Sequence, residues 1–193
     1  MKNIFVGIVF LIALSPVAVM ADYQGGRDAF DRGDYSTAVK EFEILAKQND
    51  PRGQYALAVM HDIGEGVLQN SKEAVKYYRL AAEQGFANAQ NNLGVAYDQG
   101  EGVDTDYKEA MKWYLLAAER GNRDAPNNIG VLQMIGFGVP RSFAKAHIWF
   151  TIAGAGDSEA IRNKNFVKRR LTPEQLVESK RRADEWRQIW LKK

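Results

Sequence analysis

A chain of 193 residues with 46% hydrophobic, 26% charged and 11% aromatic side chains has a globular composition of one or two compact units, which excludes a fibrous or wholly disordered protein. With 26 Lys plus Arg against 24 Asp plus Glu, the formal charge of +2 gives no signal for nucleic acid, and none is expected as a partner. The absence of cysteine excludes disulfides, thiolate metal sites and cysteine catalysis, and the two histidines, His61 and His147, are too far apart in sequence to suggest a multi-histidine metal site. No metal or cofactor is therefore expected.

The first 21 residues read as a secretory signal peptide. Lys2 is followed by an apolar run from Ile4 to Leu14, then Ser15-Pro16, and Val19 and Ala21 stand at the small-residue positions that a signal peptidase reads. Cleavage before Asp22 is expected, giving an exported protein that is periplasmic or secreted. An uncleaved anchor is the alternative, since Ile4 to Ala21 is just long enough to span a bilayer. Beyond the leader the charge is uneven. Residues 162–193 carry 11 Lys plus Arg and 4 Asp plus Glu, whereas residues 22–161 carry 14 and 20, so the two parts are expected to attract each other.

A 36-residue period organises the rest. Leu57, Leu93 and Ile129 fall in one register, as do Val59, Val95 and Val131; Gly64, Gly100 and Gly136; Gly66, Gly102 and Gly138; Ala74, Ala110 and Ala146; and Tyr78, Tyr114 and Phe150. Each unit reads as two antiparallel helices joined by a Gly-x-Gly-Val turn. In the second unit Ala89, Leu93, Gly94 and Tyr97 form one buried stripe, Gly94 lets the helices approach, and Gly100 and Gly102 supply the positive φ of the reversal. Asp34, Asn70, Asp106 and Ser142 recur at the same period as N-caps, with Glu73 and Glu109 at the third position of a capping box. Ala74, Tyr78, Ala81 and Ala82 make the inward stripe of the second helix. The leading unit has a turn four residues shorter, Arg32-Gly33-Asp34-Tyr35, which is the tetratricopeptide spacing.

These residues carry a family resemblance. Leu93-Gly94-x-x-Tyr97-x-x-Gly100-x-Gly102-Val103-x-x-Asp106, followed by Lys108-Glu109-Ala110-x-x-Trp113-Tyr114-x-x-Ala117-Ala118-x-x-Gly121, resembles the Sel-one-like repeat, a tetratricopeptide relative with a longer turn. The resemblance implies an all-α helical-repeat solenoid, a right-handed superhelix of helix pairs, used as an adaptor or scaffold. The resulting division is a leader at 1–21, a tetratricopeptide-like pair at 22–51, repeats at 52–87, 88–123 and 124–159, and capping helices at 160–193. The third repeat departs from the pattern at Gln133, Pro140 and Gly154.

Thr172-Pro173-Glu174-Gln175 is a helix start, and the helix is expected to run to about Trp190 with Leu176, Ala183, Trp186 and Trp190 on one apolar stripe covering the last repeat. Lys180, Arg181, Arg182 and Arg187 lie largely off that stripe. They read either as a basic patch for an envelope surface or acidic partner, or as a solvated face.

Little in the chain reads as catalytic, and no enzyme is expected. Ser142-Phe143-Ala144-Lys145 has the spacing of a serine nucleophile with a lysine base, and a cysteine-rich branch of the resembled family has been linked to β-lactams, which makes a β-lactam or cell-wall-peptide hydrolase the alternative. Ser142 falls in the N-cap column, however, and neither a Ser-Asp-Asn nor a Lys-Thr-Gly partner occurs. His61 stands in the Tyr97 column, where packing beside the second helix is the expectation. The paired glycines are turns rather than phosphate loops, because no Gly-Lys-Ser/Thr ending follows.

In the resembled fold the first helices line a concave groove. On them Tyr55, Asn91 and Asn127 are equivalent, as are Asn92 and Asn128, and Asp62, Asp98 and Met134. Paired asparagines donate to and accept from an extended backbone, so these positions suit a peptide or envelope protein bound with little side-chain specificity. The leading expectation is a non-enzymatic, exported interaction scaffold of undefined oligomeric state.

Overall fold

The computed structural model describes residues 22–154 and 156–190; the expected leader and the Trp190 side chain lie outside what is described. Among the described residues there are ten helices and no strand: α1 (Tyr23–Asp31), α2 (Tyr35–Lys47), α3 (Pro51–Ile63), α4 (Ser71–Glu83), α5 (Ala87–Gln99), α6 (Tyr107–Glu119), α7 (Ala125–Ile135), α8 (Phe143–Ala153), α9 (Ser158–Lys168) and α10 (Pro173–Trp190). Each second helix, α2, α4, α6 and α8, packs between its own first helix and the first helix of the next pair. The result is the tetratricopeptide-like solenoid that the period implies.

Three of the four pairs close because a glycine on the first helix receives an aromatic ring from the second; in the α3–α4 pair the equivalent residue is the fully buried Ala58. A Cβ on Gly26, Gly94 or Gly130 would lie 2.6, 2.6 or 2.5 Å from the ring of Phe42, Tyr114 or Phe150. The glycine thus admits a ring rather than a neighbouring backbone. These rings are at most 2% exposed, and each such burial contributes about 1.5–3 kcal/mol. Around them Leu57, Ala74, Ala81, Leu93, Ala110, Ala117 and Ile129 complete the expected stripes.

The long turns are built from two glycines with different tasks. Gly64, Gly100 and Gly136 end the first helices in the left-handed conformation, at φ 77°, 75° and 90°. Gly66, Gly102 and Gly138 also have positive φ, and they lie against the first residues of the preceding second helix, Tyr35, Ser71 and Tyr107. The second glycine therefore joins units as well as reversing the chain.

All four expected N-caps are made. The side chains of Asp34, Asn70, Asp106 and Ser142 accept from backbone N–H groups two or three residues on, at 2.9–3.3 Å. The reciprocal half of the capping box in the repeats is not formed. The cap N–H groups of Asn70, Asp106 and Ser142 already donate to the carbonyls of His61, Tyr97 and Gln133 at 2.8–2.9 Å. Glu73 and Glu109 pair instead with Lys76 and Lys112 at 3.0 and 3.1 Å. A reciprocal box does form at Thr172, whose N–H donates to Gln175 Oε1 while its Oγ1 accepts from the Gln175 N–H.

At the C-terminal end α9 takes the position of one more first helix, packing on α8 and α7. Its Ala160 and Val167 join Ala146 and Phe150 in a small core. The following helix does not pair with α9 but lies along α8, with Trp186 edge-on to Trp149 at 5.0 Å between ring centroids. Ala183 is fully buried there, as expected, and Leu176 and Trp186 are half-buried.

Candidate functional site

Helical spacing and exposure define the open face of the first helices. On α5 the exposed or half-buried positions are Ala87, Asn88, Asn92, Val95, Asp98 and Gln99, of which Asn88, Asn92, Val95 and Gln99 form one stripe at intervals of three and four. The equivalent positions are Ala56, Val59 and Ile63 on α3, and Asn128, Val131 and Ile135 on α7. Val59, Val95 and Val131 are therefore half-exposed on this face. The period placed them in step but did not mark them as a contact surface.

Asn91 and Asn127 are 6% and 7% exposed, so they lie at the border of this face and not on its crest. Asn91, unlike Asn127, whose buried Oδ1 has no hydrogen-bond partner, belongs to a hydrogen-bonded line that crosses three units. Asn128 Nδ2 donates to Asn91 Oδ1 at 3.1 Å, and Asn91 Nδ2 donates to Asn92 Oδ1 at a longer 3.4 Å. Asn92 Nδ2 then donates to the Tyr78 hydroxyl at 3.1 Å, which donates to Asp62 Oδ2 at 2.6 Å. Every donor points towards the Asp62 carboxylate, an arrangement in which each bond polarises the next. Tyr55 packs at the near end, 5.9 Å from Tyr78 and 5.1 Å from Phe86 between ring centroids.

The second unit repeats the tyrosine–carboxylate pair, with the Tyr114 hydroxyl donating to Asp98 at 3.3 Å. Burial raises both carboxyl pKa values, opposed by the tyrosine hydrogen bonds, and burial also raises both tyrosines. In the third unit both members change together, to Phe150 and Met134. Each column was legible alone; what went unread was that they touch, a pairing signalled by this joint change at spacing 16.

A cleft of about 210 Å³ opens at the N-terminal end of the same face, between α1 and α3. Tyr23, Phe30, Tyr55 and Val59 line it, with Arg27 and Asp31 also on its wall. Only Tyr55 of these was a sequence candidate.

The remaining candidates have structural partners. His61 stacks on Tyr77 at 5.9 Å with 10° between the rings, the packing expected of its column. Ser142 Oγ accepts from the Lys145 backbone N–H at 3.3 Å, and no side-chain base bonds to it among the described residues. Of the proposed basic patch, Arg181 pairs with Glu178 and Glu185, Arg182 with Glu178, and Arg187 with Asp184. Arg187 also donates to the Thr151 carbonyl and is half-buried, so it holds α10 to α8. Every ion pair among the described residues joins groups no more than four apart, so the expected attraction between tail and repeats is not expressed as an ion pair. No cluster of three potential metal ligands occurs among the described residues, and no described helix is long and apolar enough to cross a membrane.

Ser179, which sequence reasoning passed over as polar, is 2% exposed on the inner stripe of α10 and lies 2.8 Å from Nδ1 of the equally buried His147 on α8. Its signal was positional, since 176, 179, 183 and 186 is a spacing of three, four and three. Burial, with Lys164, Lys180 and Lys168 nearby, lowers the His147 pKa to about 4, so the imidazole is neutral.

A model of the Sel1 repeat matches residues 51–86, 87–122 and 124–158, more than half of the chain. The chain belongs to the Sel1 repeat family. Among solved structures it is similar to a Sel1 repeat protein from Oxalobacter formigenes, at 31% identity and a TM-score of 0.64 over 74% of this chain and 56% of that one. It is also similar to c5321, a protective antigen of uropathogenic Escherichia coli strains with an SLR fold, at 27% identity and a TM-score of 0.59 over 84% of this chain and 46% of that one. The chain thus spans about half the length of these two proteins. No curated protein matches it. Sel1 repeat proteins are in general protein–protein interaction scaffolds, and a face of accessible valine, isoleucine and asparagine side chains fits that use.

Proposed function

We propose that this Sel1 repeat protein is a non-enzymatic adaptor that binds an extended peptide or a segment of an envelope protein along the face of α3, α5 and α7. The observation that carries this reading is the pair of parallel ladders on that face. Val59, Val95 and Val131 offer apolar contact at each repeat, beside Asn92 and Asn128, which offer amide donors and acceptors. An extended backbone laid on such a surface meets a valine at every repeat and an amide side chain at the second and third, Ala56 taking that place in the first. The cleft between α1 and α3 would take one larger apolar side chain at the end of the segment. The pattern of the first 21 residues supports a location outside the cytoplasm, in the periplasm or secreted.

Selection from a displayed library of random peptides tests the surface. Ligands are expected whose binding falls more than about tenfold in Val59→Arg/Val95→Arg, which introduces unpaired charge on the face, and is unchanged in Lys76→Gln/Lys112→Gln on the second helices. Ligands that tolerate the arginines but not the glutamines would place binding on the opposite side.

A further inference from the structure

The solenoid ends on α9, whose outward side is where the second helix of that pair would pack, a place α10 does not take. From Ala160 to Pro173 the chain has five cations, Arg162, Lys164, Lys168, Arg169 and Arg170, and no acid. Arg162, Phe166, Arg169 and Arg170 are exposed at spacings of four, three and one, so they share one stripe of α9 and its C-terminal turn, with Glu159 as the one acid at its N-terminal end. Phe166 is 47% exposed, and the Arg170 guanidinium lies 3.7 Å from its ring centroid and 5.5 Å from that of Phe143. Arg141 approaches Phe143 from another side at 5.6 Å.

A terminal unit needs a polar outer face for solubility, which mixed charges supply equally well. Elsewhere among the described residues seven cations, Lys47, Arg52, Lys76, Lys112, Arg181, Arg182 and Arg187, form local ion pairs. Lys76 and Lys112 pair with glutamates, and the arginines of α10 pair with Glu178, Asp184 and Glu185. None of the five cations of 160–173 has a carboxylate partner among the described residues, and three lysines, Lys164, Lys168 and Lys180, crowd the buried His147. A net positive charge with an exposed aromatic on the same stripe is the composition of an interfacial surface. The cations are drawn to anionic headgroups, and the ring enters the headgroup boundary.

We propose that the α9 end of the solenoid docks on an anionic lipid surface, through Arg162, Arg169 and Arg170 with Phe166 as the apolar contact. This leaves the face of α3, α5 and α7 open, so the docking neither uses nor requires the ligand proposed there.

The test is flotation of the full chain with vesicles of equimolar phosphatidylglycerol and phosphatidylcholine, and with vesicles of phosphatidylcholine alone. The apolar N-terminal segment acts on both compositions, so the ratio between them reports the cationic surface. Each cation near an anionic membrane is worth about fivefold in binding, so the wild type is expected to favour the anionic vesicles by more than about tenfold at low salt. That preference should disappear in about 0.5 M salt, where screening is complete within a few ångströms. Arg162→Gln/Arg169→Gln/Arg170→Gln should remove the preference, Phe166→Ser should weaken it several-fold, and Arg181→Gln/Arg182→Gln should leave it intact; unchanged helicity by circular dichroism verifies folding. Equal binding of the wild type to both compositions, or a triple variant that keeps the preference, would overturn the assignment. So would retention on a polyglutamate resin without binding to anionic vesicles, which would point to an acidic protein instead.

Discussion

Single residues carry two kinds of constraint in this molecule, and substitution separates them. Gly33 and Gly138 both have positive φ, at 78° and 67°, but a Cβ on Gly33 meets nothing within 4 Å, whereas one on Gly138 comes within 2.6 Å of the Tyr107 carbonyl carbon. Gly33→Ala should therefore cost only the backbone penalty, about 1 kcal/mol, and Gly138→Ala about 2–4 kcal/mol, because the turn must also lift from the preceding unit. Chemical denaturation of the two variants measures the difference. The Tyr78–Asp62 pair gives a second comparison. Tyr78→Phe removes the donor from a half-buried carboxylate and should lose about 1–3 kcal/mol. Adding Asp62→Met recreates the Phe150–Met134 pair of the third unit and should recover much of that loss, visible as a coupling energy in the double-mutant cycle.

Among the elements, α10 is held by the least redundant contacts, and its attachment should depend on pH. His147 on α8 faces Ser179 on α10, with Lys164 and Lys168 from α9 and Lys180 from α10 as the charged neighbours and no carboxylate to offset a proton. Its pKa is about 4 when docked and near the ordinary 6.5 when exposed, so the undocked state binds the proton more tightly. The stabilisation is full above pH 6.5 and is lost as pH falls towards 4, on the order of 2–3 kcal/mol in all. Fluorescence of Trp186, packed on Trp149, should report loosening of α10 across that window, and His147→Phe should flatten the profile. A flat wild-type profile would mean that the imidazole is solvated. The elements themselves were readable from the 36-residue period, because Gly100, Tyr114 and Asp106 each do one local task that recurs at the same place in each 36-residue repeat. That α10 covers the last repeat was readable from its Leu176, Ala183 and Trp186 stripe; that α8 rather than the adjoining α9 supplies the surface was not. For the same reason the face of the first helices was only partly legible. Periodicity placed Val95 and Asn91 in recurring columns, while the small rotation that leaves Val95 half-exposed and buries Asn91 is set by packing against neighbouring units.

At the scale of the whole molecule, stability comes from stacking, since cysteine is absent and the ion pairs are local. Each unit protects the next, so deletion from Gly154 onward should uncover Ala146 and Phe150 and give a chain that melts at least about 5 °C lower or aggregates. Scanning calorimetry with light scattering checks this. The same stacking holds Val59, Val95 and Val131 on one rigid face, and the central claim is that this face is the binding surface. Methyl nuclear magnetic resonance of the full chain, titrated with a selected peptide, tests that claim most directly. The methyl groups of Val59, Val95 and Val131 are predicted to shift together with a common dissociation constant, while Val75 on α4 and Val177 on α10 stay in place. Shifts confined to Val75 or Val177, with the three valines of the first helices unmoved, would contradict it.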